Sequence, residues 1–88
     1  MRLRFTSRFD RSFVELDELS QKAVSRALAL LMRHPRTKSL RMKKVQGTQG
    51  VVWEISANMD IRITFEFEKP DWIVVRNCGH HDKALKNP

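Results

Sequence analysis

Arg62 stands in the middle of a run whose alternate positions are apolar: Ile61, Ile63, Phe65 and Phe67. After a second apolar run, Trp72-Ile73-Val74-Val75, the chain reads Gly79-His80-His81-Asp82. A guanidinium can neutralise a phosphate through charge-assisted hydrogen bonds, and histidine is the side chain best suited to move protons near neutral pH. In a small, strongly basic protein this combination suggests RNA cleavage without a metal ion. The competing reading of Arg62 is a cross-strand ion pair with Glu54, an interaction of roughly 0.2–1 kcal/mol. For each histidine the competing reading is an ordinary surface side chain. His80 and His81 are adjacent, so in extended chain they point to opposite sides, and at most one should meet Arg62.

Other chemistries find little support. Two adjacent histidines do not easily converge on one ion, and His34 belongs to a distant segment, so no metal site is expected. Cys78 is the single cysteine, which excludes an intrachain disulfide and a cysteine-rich zinc site and fits a reducing cytoplasm. Gly47-Thr48-Gln49-Gly50 lacks the lysine and the helix of a phosphate-binding loop, and no Gly-x-Ser-x-Gly elbow occurs. No cofactor is expected.

The charge is lopsided. Seventeen basic and ten acidic residues give a net charge of +7. Residues 1–50 hold twelve of the basic and four of the acidic residues, while residues 51–88 hold five and six. Arg33, Arg36, Lys38, Arg41, Lys43 and Lys44 follow one another with no acid between them. Such a cluster fits a polyanion, most commonly nucleic acid. A merely solvated face is the alternative, and an acidic protein partner is compatible with either.

The elements that must position these groups follow from periodicity. Eighty-eight residues suit one small domain, residues 1–88. No apolar run approaches the ~18 residues that would cross a bilayer, so no membrane association is expected. Leu3 and Phe5 alternate with polar residues, as in a half-buried strand. Ser7 can cap a helix carrying Phe9, Phe13, Leu16 and Leu19, and Ser20 a second one lined by Val24, Ala27, Leu28 and Leu31. Pro35 ends the second helix. Three strands follow at roughly 51–56, 61–67 and 72–78, with turns at Met59-Asp60 and Lys69-Pro70-Asp71.

The expected fold is therefore α+β, in the order β-α-α-β-β-β, with an antiparallel sheet and a helical hairpin packed on one face. With the last turn at 69–71, Glu68 faces Trp72 and Arg62 faces Cys78. With the first at 57–59, Glu54 faces Arg62. Extending the last strand puts His80 on Arg62's side, so Glu54, Arg62, Arg76 and His80 share the helix-free face. A slip of one residue would remove half of them. Trp53 points inward, and Trp72 lies on the polar side near the hairpin tip, where exposure would mark a partner-binding patch.

The helical hairpin, then Trp53-x-Ile55, Asp60-Ile61-Arg62-Ile63-Thr64-Phe65 and a valine-rich strand running into Gly79-His80-His81-Asp82, resembles the RelE/ParE toxin superfamily of toxin–antitoxin systems. The resemblance implies an mRNA endonuclease acting in the cytoplasm, usually on the ribosome. In that chemistry the ribose 2′-OH attacks the adjacent phosphorus and leaves a 2′,3′-cyclic phosphate. Arg62 occupies the position of the family's phosphate-binding arginine. His81, or failing it His80, matches the C-terminal histidine of relatives that use one as acid or base. Arg41, Lys43 and Lys44, with Lys38 and Arg76, would hold the RNA or the ribosome. The family's antitoxins wrap the toxin, so a small acidic antitoxin is the implied partner.

The chain also departs from the family. Leu85 stands about where many relatives have a tyrosine. Glu54 and Ser56 replace lysines of the first hairpin strand, which leaves Glu54 or Asp82 as the base. No final helix is expected after the histidines. The same fold also serves ParE-type gyrase poisons, which need no catalysis, and an inert member that only binds its partner is a third reading.

Overall fold

In the computed structural model, which describes residues 1–88, the chain runs β1 (Arg2–Phe5), α1 (Ser7–Glu15), α2 (Glu18–Arg33), a single 3-10 turn (Lys38–Leu40), β2 (Lys43–Lys44), β3 (Trp53–Ser56), β4 (Ile61–Glu68), β5 (Trp72–His80) and α3 (His81–Lys86). Both long helices begin on a side-chain cap, each earlier than Ser7 and Ser20 would place it. Thr6 accepts from the Phe9 N–H, and Asp17 accepts from the Ser20 N–H at 2.8 Å. Leu16 is extended, so two residues suffice to reverse the chain. α2 buries Val24, Ala27, Leu28 and Leu31 as their spacing requires.

The sheet order is β1-β5-β4-β3-β2. β1 pairs parallel to β5, with Arg2 opposite Trp72 and Phe5 opposite Val75, so the sheet is mixed where an antiparallel one was expected. The helical hairpin supplies the crossover that parallel pairing needs. β2 arises inside the basic connection, too short for any periodicity to announce it. Inward residues of β3, β4 and β5 join those of α1 and α2 in a cluster of 13 buried residues. Phe67 lies at the margin of that cluster. It stays 47% exposed and meets Trp53 and Phe65 edge-on. Trp72 is half-buried with the Arg2 guanidinium 4.1 Å above its ring, so it forms no bare aromatic patch.

Two registers differ from expectation, with different consequences. Between β3 and β4, Glu54 faces Thr64 and Ser56 faces Arg62. The turn falls one residue later, at 58–60, because Asn58 Oδ1 accepts from the N–H groups of Asp60 and Ile61 at 2.9 and 2.8 Å. The shift is even, so Glu54 and Arg62 keep a common face. Between β4 and β5 the pairing starts as expected, Glu68 opposite Trp72 and Phe65 opposite Val75. A bulge then leaves Arg76 unpaired, and beyond it Arg62 faces Gly79 and Ile61 faces His80. That odd shift turns His80 to the helix side.

The face opposite the long helices is not bare, and the absence of a final helix is corrected too. α3 folds back over it. Ala84 is fully buried, and a Cβ at Gly79 would lie 4.0 Å from the Ala84 Cβ. Pro88 O accepts from Thr64 Oγ1 at 3.0 Å and from Arg76 Nε at 3.2 Å. Asn87 O accepts from Asn77 Nδ2 and from Arg8. No helix is long and apolar enough to cross a membrane.

Leu31→Ala should cost ~2–5 kcal/mol through transfer and cavity terms, while Leu19→Ala, at a position 76% exposed, should stay within about 0.5 kcal/mol; urea midpoints separate the two. Hydrogen bonds from the Ser20 side chain and backbone, with a smaller contribution from the charge of His80, hold the Asp17 carboxyl below its ordinary value of 3.8. A depressed folded-state pKa stabilises above the unfolded value and is lost as pH falls through the folded one. The advantage of the wild type over Asp17→Asn, which keeps the cap without the charge, should therefore shrink between pH 7 and pH 3 when denaturation midpoints are compared.

Candidate active site

A guanidinium in the middle of a sheet must be hydrogen-bonded or paired to offset its lost hydration. Arg62 is 14% exposed, and its Nη1 donates to the carbonyls of Asn58, Met59 and Ile61 at 2.9, 3.1 and 3.2 Å. Its Nε lies 3.9 Å from Oε1 of Glu54, which is 5% exposed. The Nη2 group has no partner in the chain, and no buried polar side-chain atom is left unpaired, so Nη2 keeps some contact with solvent. The ion-pair and phosphate readings of Arg62 are thus compatible. One edge is spent on the protein and the other is open to an anion in a fixed place.

Glu54 faces Lys43 across β2 and β3. Its carboxylate accepts no hydrogen bond and opens on a cleft of roughly 450 Å³, shared with Lys43, Lys44 and Leu85 of α3. On the other side of the ion pair Arg62 opens on a second cleft, which it shares with Arg41, Ser39, Ser56 and Asn58. Arg41, Glu54 and Arg62 therefore gather at neighbouring openings, although far apart in sequence.

The two histidines part company. His80 faces Ile61 and lines a cleft with Ser12, Asp17, Ser20 and Lys83 at the α1–α2 junction, away from Arg62. His81 opens α3. Its N–H donates to Asp60 O at 2.8 Å, in the same turn whose carbonyls hold Arg62. The His81 side chain is 50% exposed, with Nδ1 3.2 Å from Oδ1 of the fully exposed Asp82. With Nδ1 beside that carboxylate, Nε2 has no partner within the chain.

Of the other basic candidates, Lys43 lies on the Glu54 face. Lys44 is opposite Trp53, with its ammonium 5.4 Å from the centre of that ring. Lys38 sits in the 3-10 turn and shares a shallow groove with Arg36 and Arg41. Arg76, freed by the bulge, is engaged by Glu66 and Pro88 O. Sequence reasoning missed Asn58, whose side chain shapes the turn under Arg62. The pair Asn58-Asp60 in a turn was the available signal.

No protein-family model matches the sequence, and no curated protein does. Solved structures match in fold. A YoeB/ParE toxin from Agrobacterium tumefaciens superposes with a TM-score of 0.75 at 14% identity, over 92% of this chain and 99% of that one. The toxin–antitoxin complex RelBE2 from Mycobacterium tuberculosis gives 0.73 at 18% identity, over 91% and 96%. The DinJ-YafQ complex from E. coli gives 0.73 at 8%, over 92% and 93%.

Arg62→Ala strips Glu54 of its cation and the Asn58 and Met59 carbonyls of their donor, while Ile61 O keeps the Ala57 N–H, and should destabilise the fold by ~3–5 kcal/mol in urea unfolding, with Arg62→Lys costing less. Burial pushes the Cys78 thiol up to about 12. With no thiolate available at pH 8, Cys78 should resist a disulfide-exchange reagent in the folded protein and react once urea unfolds it.

Proposed function

On the RelE/ParE-type toxin fold that this chain adopts, we propose a toxin of a toxin–antitoxin system that cleaves mRNA as a metal-free endoribonuclease, on the ribosome and in the cytoplasm. The observation that carries the reading is that the Arg62 guanidinium and the His81 backbone N–H both donate to carbonyls of one turn, residues 58–60. This turn anchors a phosphate-neutralising group and a proton-transferring one at the same end of the sheet.

The reaction assigns each group a role. Nη2 of Arg62 binds the non-bridging oxygens and offsets the charge that builds on the phosphoryl group. Glu54 takes the proton of the ribose 2′-OH, whose oxygen forms the new bond to phosphorus. His81, oriented by Asp82, gives a proton to the departing 5′-oxygen as its bond to phosphorus breaks. The products are a 2′,3′-cyclic phosphate and a 5′-hydroxyl. Lys43 holds a neighbouring stretch of the RNA backbone or of the ribosome, and Arg41 holds the backbone beside Arg62. The partner is a small acidic antitoxin, a reading supported by the net charge of +7 and by the two toxin–antitoxin complexes of like fold.

Induction in cells tests the reading. Cleaved transcripts and arrested translation are expected. DNA damage with filamentation would point instead to a gyrase poison, and an absence of toxicity to an inert member. His81→Ala, on an exposed side chain, should lower the cleavage rate ~10²–10⁴-fold with an unchanged urea midpoint.

A further inference from the structure

The cleft beside Arg62 is larger than a phosphate requires. It measures roughly 540 Å³ and is lined by Ser39, Arg41, Ser56, Asn58, Met59 and Arg62, with no carboxylate among its lining residues. That volume falls within the range of about 300–1,000 Å³ typical of small-molecule sites. Arg41 makes no ion pair within the chain. Its backbone is left-handed, φ 49° and ψ 45°, and its N–H closes the 3-10 turn on Lys38 O. A non-glycine residue held in that region signals a position fixed by its surroundings, often for function. Two guanidinium groups on one opening repel each other until an anion lies between them.

The rest of the wall suits a nucleobase. Asn58 Oδ1 is occupied by the Asp60 and Ile61 N–H groups, so the amide is held in one orientation and its Nδ2 donor is left without a partner. Met59 is 91% exposed at the rim, a flexible thioether able to lie against a planar ring. Ser39 and Ser56 add hydroxyls that can serve as donor or acceptor.

The geometry points to this cleft as a nucleotide subsite of the RNA chain: Arg41 and Arg62 clamp one phosphate, and Asn58 and Met59 receive the attached base. It rests on the endonuclease reading and deepens it, by making Arg41 and Asn58 determinants of which RNA sequence is cut. The Asn58 amide donates to a base acceptor, such as a purine N7 or a pyrimidine carbonyl.

Binding without turnover tests it. The four nucleoside 3′-monophosphates, inorganic phosphate and a short RNA are titrated into the isotope-labelled protein by NMR. Nucleotides should shift Arg41, Asn58 and Met59 together, with base-dependent affinities, and the short RNA should displace them. Inorganic phosphate should shift the two arginines alone. Arg41→Gln should weaken nucleotide binding at least tenfold. Asn58→Asp, which keeps the turn's acceptor but loses the donor, should alter the order of base preference. Nucleotides binding no better than inorganic phosphate would overturn the subsite, as would unchanged affinity in Arg41→Gln. If RNA is cut in a His81-dependent way while Arg41→Gln binds and cuts as the wild type does, the subsite alone fails. If nucleotides bind as described but RNA is never cut, the catalytic reading alone fails.

Discussion

The site depends on a largely buried charge that the fold holds by engaging one edge of it and leaving the other open. β4 buries Ile61, Ile63 and Phe65 beneath the long helices and must put Arg62 on the reverse. There the guanidinium is largely out of water, and it is held in place by two carbonyls of the preceding turn, by that of Ile61 and by Glu54. A pair of this kind adds little net stability, because the desolvation of two charges offsets their attraction. What it contributes is position. A side chain with one edge locked and one edge open loses little freedom on meeting an anion, and preorganised charge of this kind contributes most to stabilising a phosphoryl transition state.

The turn beneath Arg62 is the second half of the arrangement. Asn58 shapes it through its own side chain, two of its carbonyls hold Arg62, and a third, that of Asp60, holds the start of α3 and with it His81. The loop thus ties the start of β4 to the start of α3, about twenty residues later in sequence. Next to it α3 lies against Gly79, with the Ala84 side chain packed over the strand there. That contact seats Leu85 beside Glu54.

Helix faces and strands were legible because burial writes itself into local periodicity: Val24, Ala27, Leu28 and Leu31 every three or four residues, Ile61 through Phe67 every two. The shared face of Glu54 and Arg62 was legible for the same reason, and survived a two-residue error in register because side chains alternate. His80 did not survive, since the bulge at Arg76 is an odd shift and nothing in the local pattern of Val74-Val75-Arg76-Asn77 marks it. The parallel pairing of β1 was hidden because pairing across a crossover leaves no trace in either strand alone. α3, six residues long, is too short for a helical repeat to be read, and the hydrogen bonds of Pro88 O beyond it with Thr64 and Arg76 are a tertiary matter.

The central claim is that Arg62 and His81 act on one phosphodiester, and a structure with bound substrate analogue tests it most directly. A short RNA carrying a 2′-deoxy sugar at its cleavage site cannot react, and can be co-crystallised with the wild-type protein. The account predicts the scissile phosphate within hydrogen-bonding distance of Arg62 Nη2, with Nε2 of His81 on its 5′-oxygen. A phosphate bound there with His81 turned away, or an RNA seated elsewhere on the surface, would contradict it.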